Sequence, residues 1–110
     1  MFEVRKRLEV SAAHMLRLPY ESKCQNLHGH NWHIEIRCQS ETLNAAGMVY
    51  DFTQLKREIH GKLDHQFLNE ILEVNPTAEN IAFWIASQIG DLCVEVRVEE
   101  SDGNLAIWRR

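Results

Sequence analysis

An α+β domain is the fold class this sequence predicts: a four-stranded antiparallel sheet with two helices on one face, in the order ββααββ. Three observations predict it. Residues 2–14 and about 27–38 alternate apolar and polar with period two, the mark of half-buried strands. Residues 51–62 and 76–90 repeat their apolar side chains at helical spacing. Residues 91–100 and 105–109 then return to alternation on either side of the turn Ser101-Asp102-Gly103-Asn104. Strands and helices grouped in runs favour an α+β architecture, and 110 residues suffice for one domain and not two. The expected unit is therefore a single domain over 1–110. A four-stranded sheet keeps two free edges, which invite pairing with further copies of the chain.

In the first strand the even positions Phe2, Val4, Leu8, Val10 and Ala12 are apolar, and the odd positions Glu3, Arg5, Arg7, Glu9 and Ser11 are polar; Lys6 alone breaks the even set. Continuing the parity turns His14 inward. Residues 15–27 read as a loop punctuated by Pro19, Ser22 and Asn26. In the second strand Trp32, Ile34, Ile36 and Cys38 are even and inward, while His33, Glu35, Arg37 and Gln39 face solvent. A loop at 40–50 leads to Asp51, an N-cap with Gln54 in capping-box position. Phe52, Leu55, Ile59 and Leu63 then form the stripe of the first helix, with Asp64-His65 directly after it.

Residues 66–75 read as a plain connection. Pro76 suits the first turn of the second helix, with Asn75 or Thr77 as cap. Ile81, Trp84, Ile85 and Ile89 give its stripe, and Gly90 ends it. The third strand opens at Asp91, with Leu92, Val94, Val96 and Val98 inward and Glu95, Arg97 and Glu99 exposed; Cys93 reads as structural. Glu100 continues the inward parity. Either the strand has ended and Glu100 is solvated, or it is turned inward and needs a partner, because a carboxylate buried alone is costly.

Composition narrows the function. A net charge of -4 and a pI near 5.8 argue against a general nucleic-acid binder; Arg5-Lys6-Arg7 splits between two strand faces and makes no patch. Three cysteines, Cys24, Cys38 and Cys93, without a C-x-x-C predict a reducing cytoplasmic setting and no disulfide framework. Met1–Arg7 has no apolar core of the kind a secretory leader carries, and no run approaches the ~20 apolar residues of a membrane span.

The chemistry concentrates at Cys24-Gln25-Asn26-Leu27-His28-Gly29-His30. A lone H-x-H reads most simply as a turn, and His14 alone as a core histidine bonded to backbone. Together, however, His14, His28 and His30 share the inner faces of two strands joined by one loop. Three convergent nitrogens with an open fourth position are the pattern of a catalytic zinc site. Asp64 beside His65 can hold an imidazole's tautomer, although a pair at a helix end is also ordinary polar surface.

Five segments, S-A-A-H at 11–14, C-x-x-x-H-G-H at 24–30, L-D-H-Q-F-L-N at 63–69, P-T-A-E-N-I at 76–81 and Glu100-Ser101, resemble the 6-pyruvoyl-tetrahydropterin synthase / 6-carboxy-tetrahydropterin synthase family over nearly the whole chain. Three residues between the cysteine and H-G-H are similar to the bacterial carboxy enzymes; Ser101 departs from the threonine common after the glutamate. The resemblance implies the tunnelling fold and a homo-oligomer, a trimer or a hexamer built on it, with active sites at subunit interfaces. It implies zinc on His14, His28 and His30, Cys24 as proton acceptor, Asp64 and His65 working with it from a neighbouring subunit, and Glu100 anchoring the pterin. The implied reaction is a carbon–carbon lyase step on 7,8-dihydroneopterin triphosphate, giving 6-carboxy-5,6,7,8-tetrahydropterin, acetaldehyde and triphosphate on the route to queuosine. Alternatives are triphosphate elimination to the pyruvoyl product, or a non-catalytic zinc- or pterin-binding protein. Purely structural zinc is disfavoured because the sequence offers no evident fourth protein ligand. Arg17 and Lys23 are loop candidates for the triphosphate.

Overall fold

Four strands, β1 (Phe2–His14), β2 (His28–Ser40), β3 (Cys93–Ser101) and β4 (Asn104–Arg109), form one sheet in the order β1-β2-β3-β4, each neighbour antiparallel. The computed structural model describes all 110 residues. The β1–β2 ladder runs unbroken from Phe2 opposite Ser40 to His14 opposite His28. This regular pairing keeps the inward parity intact to the strand ends: Leu8, Val10, Ala12, His14, Trp32, Ile34, Ile36 and Cys38 are all buried. Phe2, expected inward, is exposed at the strand's start, where it borders an open cavity with Leu43 and Phe52.

The helical layer covers the even face. α1 (Phe52–Leu55) passes through one π turn (Lys56–His60) into α2 (Gly61–Leu63). Residues four apart drift by about 40° on an α-helix. The wider turn reverses that drift and brings Leu55, Ile59 and Leu63 all onto the sheet; Phe52 falls outside the stripe and is exposed. Asp51 caps through the Thr53 N–H at 2.8 Å, but Gln54 does not return the bond and donates to Glu58 instead. The expected plain connection contains a short helix, α3 (Leu68–Ile71), nucleated by burial of Leu68. α4 (Ala78–Ile89) is capped by Thr77, whose Oγ1 accepts from the Asn80 N–H, and ends at Gly90 with φ 98°. No helix is long and apolar enough to cross a membrane.

Two bulges in β3 correct the sequence reading. Arg37 pairs with Glu95 while Cys38 pairs with Cys93, so Val94 is an extra residue. The strand therefore starts at Cys93 rather than Asp91, Cys93 turns into the core against Cys38, and Leu92 is left partly exposed. Glu95, expected exposed, is only 3% exposed. It lies on the far face of the sheet under Arg37, Arg97 and Arg109, at 3.0, 3.1 and 2.9 Å. The second bulge lies between Glu99, opposite Leu105, and Ser101, opposite Asn104; its extra residue is Glu100.

The free edge of β1 is covered by residues 64–67. The Ser11 N–H donates to Asp64 Oδ1 at 2.9 Å, the His65 N–H donates to the Ser11 carbonyl at 2.7 Å, and the Ala13 N–H donates to the Gln66 carbonyl at 3.1 Å. This corner requires φ 60° at His65, a left-handed conformation that costs a non-glycine residue about 1–3 kcal/mol.

Candidate metal centre and active site

The end of the β1–β2 ladder builds the centre. His14 stands opposite His28, and small Ala12 opposite His30, so three imidazoles fit on one face above Trp32. The His14 and His30 rings meet the Trp32 ring edge-on at 4.9 and 5.1 Å, and Trp32 Nε1–H donates to the Ala12 carbonyl. Gly29, between the histidines, lies across from Ala13 with only the Ala12 carbonyl within 4 Å of where a side chain would begin.

The hydrogen bonds of these rings define their chemistry. His14 Nδ1 lies 2.8 Å from the Pro76 carbonyl and His28 Nδ1 lies 2.7 Å from the Asn26 carbonyl. A carbonyl only accepts, so each Nδ1 carries the proton, and the neutral ring turns a bare lone pair outward at Nε2. Those two Nε2 atoms face each other at 2.9 Å, where neutral rings have no proton to share. His30 Nε2 is buried with no hydrogen-bond partner at all. Burial holds His14 and His30 below the ordinary histidine pKa, against the raising influence of Glu100. Two lone pairs, on His14 and His28, therefore converge beside the unpartnered Nε2 of His30, an arrangement that leaves these polar atoms unsatisfied unless a cation sits among them. The donor set fits a divalent metal of the imidazole-preferring kind, and the two carbonyls supply the outer hydrogen bonds that ligating histidines require.

Glu100 completes the cluster. Its Oε1 lies 3.4 Å from Nε2 of both His14 and His30, and the ligand atoms of all four residues lie within 4.8 Å of one another. The strand thus continues through Glu100, and its carboxylate stands among the three imidazoles, where the sequence left open whether it would be solvated. The bulge at Glu100 supplies the aim.

The other expected residues lie apart from this cluster. Asp64 Oδ2 accepts from His65 Nδ1 at 2.8 Å. The Ser11 N–H and the His65 bond hold the Asp64 carboxyl below the usual carboxylate range, so it stays charged and fixes the ring. The His65 side chain is 81% exposed and borders a cavity of about 520 Å³ with Ser11, Gly29, His30 and Asn31. Cys24 does not line that cavity. It is half-buried in a 3-10 turn (Lys23–Gln25), with its N–H on Ser22 Oγ and its carbonyl taking the Leu16 N–H at 2.8 Å. His33 is on the outer face between Glu9 and Glu99, as its parity requires.

Sequence reasoning missed the supports. Asn69 pairs with both the N–H and the carbonyl of Met15, and Asn75 does the same for Arg17, every bond at 2.9 Å. These side chains stand in for a neighbouring strand and hold the segment on which the Cys24 carbonyl docks. Asn69 ends the segment L-D-H-Q-F-L-N and Asn75 immediately precedes P-T-A-E-N-I, but their targets are more than 50 positions away. The Pro76 and Asn26 carbonyls carry no sequence signal of their own.

Comparison with known proteins agrees with this geometry. The family profile described as 6-pyruvoyl tetrahydropterin synthase matches residues 3–110. A protein of Archaeoglobus fulgidus, provisionally named 6-carboxy-5,6,7,8-tetrahydropterin synthase, is 40% identical over 91% of this chain and 89% of its own. The 6-carboxy-5,6,7,8-tetrahydropterin synthase of Synechocystis is 36% identical over 81% of this chain and 75% of its own. Among solved structures, the Caenorhabditis elegans 6-pyruvoyl tetrahydropterin synthase superposes with a TM-score of 0.78 at 26% identity, covering 99% of this chain and 95% of that one.

Proposed function

The chain belongs to the 6-pyruvoyl tetrahydropterin synthase family and is an enzyme of pterin processing, and from that premise we propose that it is a zinc-dependent 6-carboxy-5,6,7,8-tetrahydropterin synthase. The observation that carries the reading is the convergence of three imidazole nitrogens, two of them fixed as acceptors by backbone carbonyls and the third buried without a hydrogen-bond partner. The substrate is 7,8-dihydroneopterin triphosphate, and the products are the carboxypterin, acetaldehyde and triphosphate, feeding 7-deazaguanine and queuosine synthesis.

His14, His28 and His30 would hold the zinc, which when bound would acidify the vicinal hydroxyls of the substrate side chain. Cys24, as thiolate, takes a carbon-bound proton. His65, its Nδ1 fixed by Asp64, presents Nε2 to move the opposing proton. Glu100 accepts the 2-amino and ring N–H groups of the pterin and so sets its orientation. In this reading Cys24 and His65 act together across the boundary between copies in a homo-oligomer of the cytoplasm, as the family resemblance implies.

A product assay tests the proposal. Zinc-loaded protein given the triphosphate substrate is expected to yield carboxypterin with matching acetaldehyde, read by mass spectrometry. Cys24→Ala is expected to lose about 10²–10⁴-fold in turnover while keeping its metal. Pyruvoyl product without acetaldehyde assigns the sister activity; no turnover with pterin bound leaves a binding protein.

A further inference from the structure

We propose that Glu100 is the fourth protein ligand of the metal centre at rest and leaves it when a pterin arrives, so that one carboxylate both closes the site and gates it. The inference rests on the pterin-processing reading above and deepens it.

The first support is spacing. In a tetrahedral centre with bonds of about 2.0–2.1 Å, donor atoms stand about 3.3–3.4 Å apart. Glu100 Oε1 is 3.4 Å from two of the imidazole nitrogens. It is thus at ligand distance from His14 and His30, while the His14–His28 pair, at 2.9 Å, needs to open slightly and the set as a whole, spread over up to 4.8 Å, needs to draw in around the ion.

The second support is local backbone. Glu100 is the extra residue of the β3–β4 bulge, and bulges beside functional sites re-aim one side chain out of the regular pleat. Its neighbours on β3 keep their partners: Glu99 faces Leu105 and Ser101 faces Asn104. Glu100 is therefore freed from the ladder's register while the strand around it is held.

The third support is what lies on the other side. Glu100 also lines a cavity of about 360 Å³ bounded by Ala78 and Glu79 of α4 and by Asn104 to Ile107 of β4; none of the three histidines borders it. Glu100 is the one residue common to the metal cluster and this cavity. A flat heterocycle with adjacent N–H groups placed there offers the carboxylate paired, charge-assisted hydrogen bonds. The same oxygens cannot serve the metal and that edge together, and a side chain 27% exposed has room to turn. At rest the carboxylate satisfies the centre; with the pterin seated, it vacates one position beside the substrate's own oxygen donors. Binding of the ring and opening of the metal thereby become one event.

Cobalt(II) tests the gate, because its visible absorption reports its coordination. The full chain loaded with cobalt(II) is titrated with 6-methylpterin, which has the pterin N–H edge and no side-chain hydroxyl to ligate; its fluorescence reports binding separately. The expected result is a change in the cobalt absorption as 6-methylpterin binds. Glu100→Gln is expected to hold cobalt(II) at least about 10-fold more weakly, the scale that even an outer partner is worth, and to give a spectrum that no longer responds to the pterin. A spectrum that stays fixed while fluorescence shows the pterin bound overturns the gate. Unchanged cobalt affinity in Glu100→Gln overturns the ligation. Should circular dichroism show Glu100→Gln unfolded, Glu100→Asp, one methylene shorter, is read in the same way, and the wild-type titration stands by itself. No fluorescence response at all removes the pterin reading and the gate with it, which is distinct from a bound pterin that leaves the metal unmoved.

Discussion

The two faces of the sheet each carry a polar cluster centred on a glutamate, and the two are finished differently. On the outer face Glu95 accepts from Arg37, Arg97 and Arg109, and Arg37 also reaches Glu3. Burial opposes the charge of Glu95, but the three guanidinium groups outweigh it and hold its pKa down to about 2. On the helix-covered face, Glu100 and three histidines converge with nitrogen lone pairs facing one another and His30 Nε2 without a partner. The outer cluster balances itself and is architecture. The inner one is short of positive charge, and that deficit marks a site built for something the chain does not contain. Burial and polarity alone do not separate the two; the hydrogen-bond account of each atom does.

If that contrast is right, the clusters respond to different perturbations. The largest effect expected is on metal affinity: His30→Ala weakens zinc binding by more than about 100-fold in chelator competition, beyond what loss of an outer partner costs, whereas Glu95→Ala leaves it unchanged. Next, Glu95→Ala leaves three arginines around an empty position and costs about 1–3 kcal/mol in denaturant unfolding, less than breaking a fully buried pair because Arg97 and Arg109 are 43% and 65% exposed and stay solvated; no measurable loss would show the outer cluster to be decorative. The acid response follows from the same group. Its folded pKa of about 2 is below the ordinary 4.5, so its stabilisation is present above the ordinary value and disappears as pH falls toward the folded one. Glu3, also held at about 2, titrates in the same direction. Urea midpoints measured across that window should fall less steeply in Glu95→Gln than in the unsubstituted chain. The smallest effect is Arg97→Gln, whose side chain is 43% exposed; it should cost less than about 1 kcal/mol.

The sequence makes one side of this contrast legible and hides the other. Period-two alternation carries Leu8 to His14 and His28 to Cys38 inward because the β1–β2 ladder has no irregularity, so the three histidines follow from parity alone. The outer cluster is invisible to the same rule: Glu95 is hidden by arginines on three strands, and the bulge at Val94 changes which residues share its face. Bulges depend on how two strands fit each other and not on the composition of either. That is also why Glu100 was ambiguous as a strand-end residue, and why the supports at Asn69, Asn75 and Pro76, which act across the fold, had no local mark. The π turn in the first helix is similar: its i, i+4 apolar spacing is plain, but the widening that turns Leu55, Ile59 and Leu63 together onto the sheet has no residue that marks it.

The central claim, that the inner cluster exists to hold a divalent metal, is tested most directly by anomalous diffraction at the zinc edge from crystals of the zinc-loaded chain. The account predicts one strong peak about 2.0–2.1 Å from Nε2 of His14, His28 and His30. A fully loaded crystal with no peak among these three nitrogens would contradict it.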